Sequence, residues 1–356
     1  MDACRSLLAM LVLVSTGPSA VAGPQPGDVF REYSWRPEGK WQRVTGPETT
    51  EPRARAFLPN AVNELVIDDL DKAVRVEAYV EMLLCHAGTV DKRMRVNGGP
   101  WIPIPESDLI PGEAGRGPPG TEYQSMRYPL VGISLEQINA GKNTFEFTCS
   151  GGTRLGSWWP QWIVYGVTFR VYYSPDKPHP TGRIVSPVPG AVFNDPSVTI
   201  ELETSGSRPI DRAEIVGFYT DFNWEGEGLD RQWHYRYLYG QMCSHVGTST
   251  KGETPVKWDL QWMPTQKEPI SLAAWIVDSS GIVYVSPAAE NLRLARRQTV
   301  RMLKPYEVPK AWSTRAGRTD RAKIDVADDL GKAVDAKIVV STWNGVAAEE
   351  IGINDR

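Results

Sequence analysis

Apolar and polar residues alternate along much of this chain with a period of two, the pattern of strands that bury one face. Val74 to Met82 runs Val, Arg, Val, Glu, Ala, Tyr, Val, Glu, Met and predicts a half-buried strand. Met94-Arg95-Val96 is a short strand ending in Asn97-Gly98, two residues that tolerate positive φ and so predict a hairpin turn, with 101–105 returning. A further strand, Asn143 to Cys149, follows the turn Asn139-Ala140-Gly141-Lys142. After a Gly-Gly break and a Trp-rich loop comes the closing strand. There Ile163, Tyr165, Val167, Phe169, Val171 and Tyr173 take every second place, which predicts one shared buried face. Residues 23–42 carry Pro and charge and read as an entry segment.

The alternation resumes after a stiff Pro-rich linker at 175–182. Val198, Ile200 and Leu202 alternate, Ile215 to Tyr219 reads as a middle strand, and Leu272 to Val277 runs into the turn Asp278-Ser279-Ser280-Gly281. A long aromatic insertion, Asp221 to Lys257, interrupts this half. Beyond it, Asp328-Asp329-Leu330-Gly331-Lys332-Ala333-Val334 echoes Asp68-Asp69-Leu70-Asp71-Lys72-Ala73-Val74.

The fold class is therefore all-β. The strand at 74–82, the Asn97-Gly98 turn, the stretch from Leu135 through Ala140-Gly141-Lys142 to Phe147, and the closing strand together resemble the galactose-binding-like jelly roll. Ile184-Val185-Ser186-Pro187, the alternation at 198–202 and the 272–281 strand and turn resemble a bacterial immunoglobulin-like β-sandwich, without the Cys-Trp-Cys core of antibody domains. The resulting organisation is a jelly-roll β-sandwich at 43–174, an immunoglobulin-like sandwich at 183–296, and a partial second jelly roll at 321–356. That last copy stops before it could close a core, which implies a fragment of a longer protein or a piece that docks elsewhere.

Composition and charge narrow the function. A formal charge of −4 offers no polybasic field, which argues against nucleic acid as a partner. Arg5, the apolar run Leu7 to Val14, and Ala20-Val21-Ala22 before Gly23 form a signal-peptide pattern over 1–22, too short to span a membrane. Export to the medium or the cell surface follows, and it permits a disulfide, for which Cys85 and Cys149 are the candidate pair. No metal-ligand pair, G-x-S-x-G motif, phosphate loop or dinucleotide fingerprint is present, so no catalytic set and no cofactor is expected.

Two aromatic groups remain. Trp158, Trp159 and Trp162 precede the closing strand, and indole faces stack on sugar rings, with Arg154 and Gln161 beside them to meet hydroxyls. The same rings also suit the role of plugging the end of a sandwich. Trp233, Tyr235, Tyr237 and Tyr239 alternate, and with Trp224 they make a second candidate surface or an inner face. Asp221, Asn223 and Glu225 partly imitate a calcium loop, but the twelfth position is Gln232, not Glu. The resemblance to jelly-roll modules implies a non-catalytic protein that binds a polysaccharide or glycoconjugate. The alternatives are part of a glycan-acting hydrolase with paired jelly rolls, using Asp221 and Glu225, and a structural spacer or adhesion protein.

Overall fold

The alternation in the first half of the chain becomes two facing sheets. The computed structural model describes residues 23–84, 86, 88–105, 125–151, 159–223, 228–250, 255–301, 303, 319, 321, 323–326, 330–338 and 351–354. The first ten strands are β1 (Val29–Trp35), β2 (Gln42–Thr45), β3 (Asn63–Ile67), β4 (Ala73–Leu84), β5 (Thr89–Val96), β6 (Ile102–Pro103), β7 (Ser125–Arg127), β8 (Leu130–Ile133), β9 (Gly141–Gly151) and β10 (Gln161–Tyr173). One sheet runs β3-β9-β5-β6. In the other, β10 lies between β1 and β4, with β2 also on β10 and β7 and β8 on β4. Between the sheets pack Val76, Ala78, Val80 and Met82 of β4 against Phe145 and Phe147 of β9. Asn97 (φ 50°) and Gly98 (φ 68°) make the expected left-handed turn. The Asn97 carboxamide fixes it by accepting from the Thr144 N–H at 2.8 Å and donating to the Gln137 carbonyl at 2.8 Å.

The closing strand departs from strict alternation. Val164 faces Met82 and Gly166 faces Glu81, so β10 carries one extra residue, a β-bulge. The bulge reverses the phase. Val167, Phe169, Val171 and Tyr173 point into the core, whereas Ile163 and Tyr165 turn to the opposite face beside Leu83. The six residues expected on one face are split between two. Gly166 is needed at this point, because a Cβ there would lie 2.6 Å from the Glu81 carboxylate.

The second sandwich comprises β11 (Thr181–Ser186), β12 (Val192–Phe193), β13 (Ser197–Ser205), β14 (Ile210–Asn223), β15 (Gly228–His234), β16 (Arg236–Leu238), β17 (Gln241–Cys243), β18 (Gly247–Thr250), β19 (Val256–Asp259), β20 (Ile270–Asp278), β21 (Ile282–Val285) and β22 (Ala289–Leu294). Sheet β11-β13-β19 faces the sheet built on β14 and β20 across a core that includes Ile200, Ile215, Trp258 and Ile276. The described residues are thus essentially all-β, two β-sandwiches of a kind consistent with jelly-roll and immunoglobulin-like folds. The segment expected as an entry is β1, which pairs with β10 on one side and with β21 on the other. The register Val29↔Tyr284, Phe30↔Val283 and Arg31↔Ile282 carries one hydrogen-bonded sheet through both sandwiches.

The aromatic insertion lies across this joint. Its four alternating rings do not sit on one strand: β15 ends at His234, β16 starts at Arg236, and Tyr239 adopts φ 52°. The bent segment lays Tyr237 on Tyr79 (4.9 Å between ring centroids), Tyr235 on Trp275 (4.9 Å) and Tyr239 near Tyr165 (6.1 Å). It therefore covers the outer face of β4 and β10, and the residues that alternation marks as polar become interior. Arg170, Glu77 and Glu81 are each 0% exposed. Arg170 donates to Glu32 at 2.7 Å, to Glu77 at 2.9 Å and to the Tyr237 hydroxyl at 3.1 Å. Tyr172 and Tyr237 donate their hydroxyls to Glu77 (2.6 Å) and Glu32 (2.5 Å). Desolvation opposes the guanidinium charge, but the surrounding phenols and Glu32 outweigh it and hold Arg170 above its ordinary range. Glu81 accepts the backbone N–H groups of Tyr239 (2.7 Å) and Gly240 (2.8 Å), which ties the tip of the insertion to β4. Burial pushes its carboxyl up despite those two bonds.

Past Leu294 the described residues form no strand. Leu330–Lys332 is one 3-10 turn, and Leu330, Val334 and Ile338 are exposed. The described part of the 328–340 echo thus lacks the strand that its counterpart forms in β4. Cys149 is buried in the first core, and Cys85 lies outside the described residues. Replacing Arg170 with alanine removes the buried guanidinium that Glu77 and Glu32 share, so denaturant unfolding of Arg170→Ala is expected to show a loss of about 3–5 kcal/mol. A loss under about 1 kcal/mol would mean that the network is not structural.

Candidate functional site

Among the described residues of the Trp-rich end of the first sandwich, neither Trp159 nor Trp162 presents an open ring. Trp162 is 0% exposed and packs edge-on against Phe147 inside the core, with ring centroids 5.3 Å apart. The phase set by the bulge puts it there. Gln161 is 3% exposed; its backbone N–H donates to Thr89 Oγ1 at 3.0 Å, and its side chain meets His86 Nε2 at 2.5 Å. Trp159 is half-buried. Phe57 stacks on it at 5.9 Å, the Arg43 guanidinium lies 5.4 Å and that of Arg53 5.9 Å from its ring, and His86 meets it edge-on. Its faces are engaged by protein groups. Trp158 and Arg154 lie outside the described residues.

A concave site lies at the joint between the sandwiches. A cleft of about 270 Å³ is lined from three directions. The first sandwich contributes Tyr79, Tyr128 and Leu130; the insertion contributes Asp221, Gln232, Trp233, His234, Tyr235, Arg236 and Ser244; and Gly23, Pro24 and Gln25 close one side. Domain junctions with aromatic walls and a few converging polar groups are where small ligands usually bind. Trp233 and Tyr235, expected from their spacing, are here, while Trp224 lies outside the described residues. Alternation would set His234 and Arg236 on the opposite face from those rings. They join them because the chain leaves strand geometry between β15 and β16. Tyr79 and Tyr128 belong to a different sandwich, and no local spacing marks them. Their rings lie 5.8 Å apart, and the Arg236 guanidinium is 5.6 Å from Tyr128.

His234 is 7% exposed and its Nε2 lies 2.8 Å from the Tyr219 carbonyl, the distance of an N–H donated to that oxygen. Burial holds the imidazole below its ordinary value, partly offset by the Tyr219 carbonyl and by Asp221. Burial likewise pushes the Asp221 carboxyl up, against the Phe222 N–H that it accepts at 2.8 Å. The cleft therefore holds a neutral histidine beside a desolvated acid. Asp221 is the one carboxyl group among its described lining residues. Glu225 and the side chain of Asn223 lie outside the description, and among the described residues no cluster of three His, Cys, Asp or Glu side chains suits a metal ion. No helix of the described residues is long and apolar enough to cross a membrane.

No protein-family model matches the chain, and no curated protein matches it in sequence. Among solved structures it aligns with a β-D-glucuronidase of Dictyoglomus thermophilum at 9% identity and a TM-score of 0.26, over 79% of this chain and 46% of that one. The chain thus spans less than half the length of that enzyme. It also aligns with fibronectin(III)-like modules of Clostridium thermocellum CbhA at 13% identity and a TM-score of 0.18, over 67% of this chain and 85% of that one. Likenesses this distant carry no functional information.

His234 gives the site a measurable signature. Its folded pKa is lowered, so between that value and the unfolded value near 6.5 the unfolded chain binds a proton that the folded chain does not. This contribution to stability is complete above about pH 6.5 and is lost as the pH falls. Imidazole signals followed by NMR should show His234 titrating below 6.5. A midpoint at or above that value would contradict the burial described.

Proposed function

We propose that this protein is an exported, non-catalytic module that binds a glycan in the cleft between its two sandwiches. One observation carries the reading: Tyr128, Trp233 and Tyr235 surround a concave space into which Gln232, Arg236, Asp221 and Ser244 also reach. Aromatic walls suit the C–H faces of a sugar ring, and the polar heads offer donors and acceptors for its hydroxyls. The volume of about 270 Å³ fits one or two rings, not a long chain. Export is supported by the sequence pattern of residues 1–22. The Trp159 end, with its faces engaged by Phe57, Arg43 and Arg53, is the weaker surface for this role. Glycoside hydrolysis needs two carboxyl groups flanking the bond, and only Asp221 is placed for that among the described residues of the cleft.

Affinity electrophoresis through gels carrying soluble polysaccharides tests the reading. Wild-type protein should be retarded by at least one acidic or neutral glycan. Trp233→Ala should weaken that retention about tenfold, the loss expected for one well-packed ring contact, while Trp159→Ala leaves it unchanged. Retention lost in Trp159→Ala and kept in Trp233→Ala would move the site to the other end of the jelly roll. No retardation by any glycan would overturn the function.

A further inference from the structure

The turn after β5 is fastened by two side-chain amides. Asn97 adopts φ 50° and Gly98 φ 68°, a backbone that favours glycine at the second place. Gly98 is exposed. With no Cβ on Gly98, nothing shields its peptide nitrogen from the carboxamide one residue before it. The turn thus requires the residue pair in which an asparagine side chain is most open to attack by its own backbone.

The fold holds that carboxamide elsewhere. Asn97 Oδ1 accepts from the Thr144 N–H at 2.8 Å, while Nδ2 donates to the Gln137 carbonyl and to Asn143 Oδ1, both at 2.8 Å. The Asn97 N–H donates to the Thr144 carbonyl at 2.8 Å, so backbone and side chain are tied to β9 together. Asn143 is 2% exposed and is fixed in its turn. Its Oδ1 also accepts the Asn139 N–H at 2.8 Å, and its Nδ2 donates to the Asn139 carbonyl at 2.8 Å and the Gly141 carbonyl at 3.0 Å. Turning the Asn143 amide over would break all three of these bonds, so it always offers Asn97 an acceptor.

We propose that Asn97 is a site of spontaneous deamidation that the native clasp suppresses, and that its conversion unlocks β5 from β9 without a way back. The Gly98 N–H gives its proton to solvent base, its nitrogen bonds to Asn97 Cγ, and the Cγ–Nδ2 bond breaks. Nδ2 leaves as ammonia, taking a proton from water. A second water opens the resulting ring at one of its two carbonyls, giving aspartate or isoaspartate. Either product has lost the NH₂ group that met two acceptors. In the aspartate, a carboxylate oxygen takes its place opposite the Gln137 carbonyl and Asn143 Oδ1, three acceptors with no proton between them. In the isoaspartate, the main chain runs through the former side chain and the turn changes its length. Asn143 stands just ahead of Phe145 and Phe147, so the damage lies beside the first core. None of this rests on the glycan-binding reading.

The full chain tests the proposal. It is incubated in mildly alkaline buffer, folded and in urea, and conversion at Asn97 is followed by mass-resolved peptide mapping, which separates it from the other Asn-Gly pair, Asn344-Gly345. Conversion at Asn97 in the folded protein should be slower by about tenfold or more, because it must await opening of the turn. Equal rates in the two conditions would overturn the protection. Asn97→Asp then reproduces the product. Its folding equilibrium constant, from urea unfolding at neutral pH, should fall about tenfold or more, as expected where buried acceptors lose their donors; a chain that no longer folds would be the same result in stronger form. An Asn97→Asp protein as stable as wild type would show that the clasp does not depend on the amide and would overturn the unlocking.

Discussion

Arg170 is the constraint from which the rest of the molecule follows. It stands in the middle of β10, on the face that alternation assigns to solvent, and it is completely enclosed. A guanidinium without water needs carboxylates, hydroxyls and aromatic faces around it. Glu77 comes from the neighbouring β4 and Glu32 from β1, while Tyr237 and Tyr235 come from the insertion and Trp275 from the second sandwich. No one of these elements can satisfy it alone. The charge thereby specifies how the two sandwiches meet, because sliding one against the other would leave a buried cation facing unmatched groups.

The cleft is a by-product of that docking. The insertion must bend at Tyr235 to bring Tyr237 over Arg170, and the bend turns Trp233, His234, Tyr235 and Arg236 together toward Tyr79 and Tyr128. The Glu81 carboxylate, seated beside Gly166 at the bulge, holds the far end of the same hairpin through two backbone N–H groups. The bulge in β10 and the concavity at the joint are therefore parts of one arrangement. β1 reinforces it by hydrogen-bonding to both sandwiches at once.

Much of the fold was legible in the sequence, because strand periodicity and turn chemistry are local. Val74 to Met82 lies within β4, Asn97-Gly98 turns with both φ angles positive, and the described residues are essentially all-β. Two things were not local. The extra residue at the bulge leaves the apolar pattern of 163–173 looking regular while it moves Ile163 and Tyr165 to the other face. Glu77, Glu81 and Arg170 look like solvent-facing positions in their own strands, and only the insertion, far away in sequence, makes them interior. The same non-locality hid half of the cleft. Trp233 and Tyr235 stand out by their aromatic spacing, whereas Tyr79, Tyr128 and Gly23 acquire their place only when the sandwiches dock. Trp162 and Gln161 show the converse: a Trp-rich stretch that looks like a loop includes the buried start of β10.

The claim that the two sandwiches are one body is tested most directly at the seam between β1 and β21. Native-state hydrogen exchange would follow the Gly27 and Val285 amides, which bond across the seam at 2.9 Å, together with core amides of β4 and β20. The account predicts that seam and core amides exchange through the same global opening and share one dependence on denaturant. Seam amides that open at a distinctly lower free energy, while both cores stay protected, would show two sandwiches that merely touch.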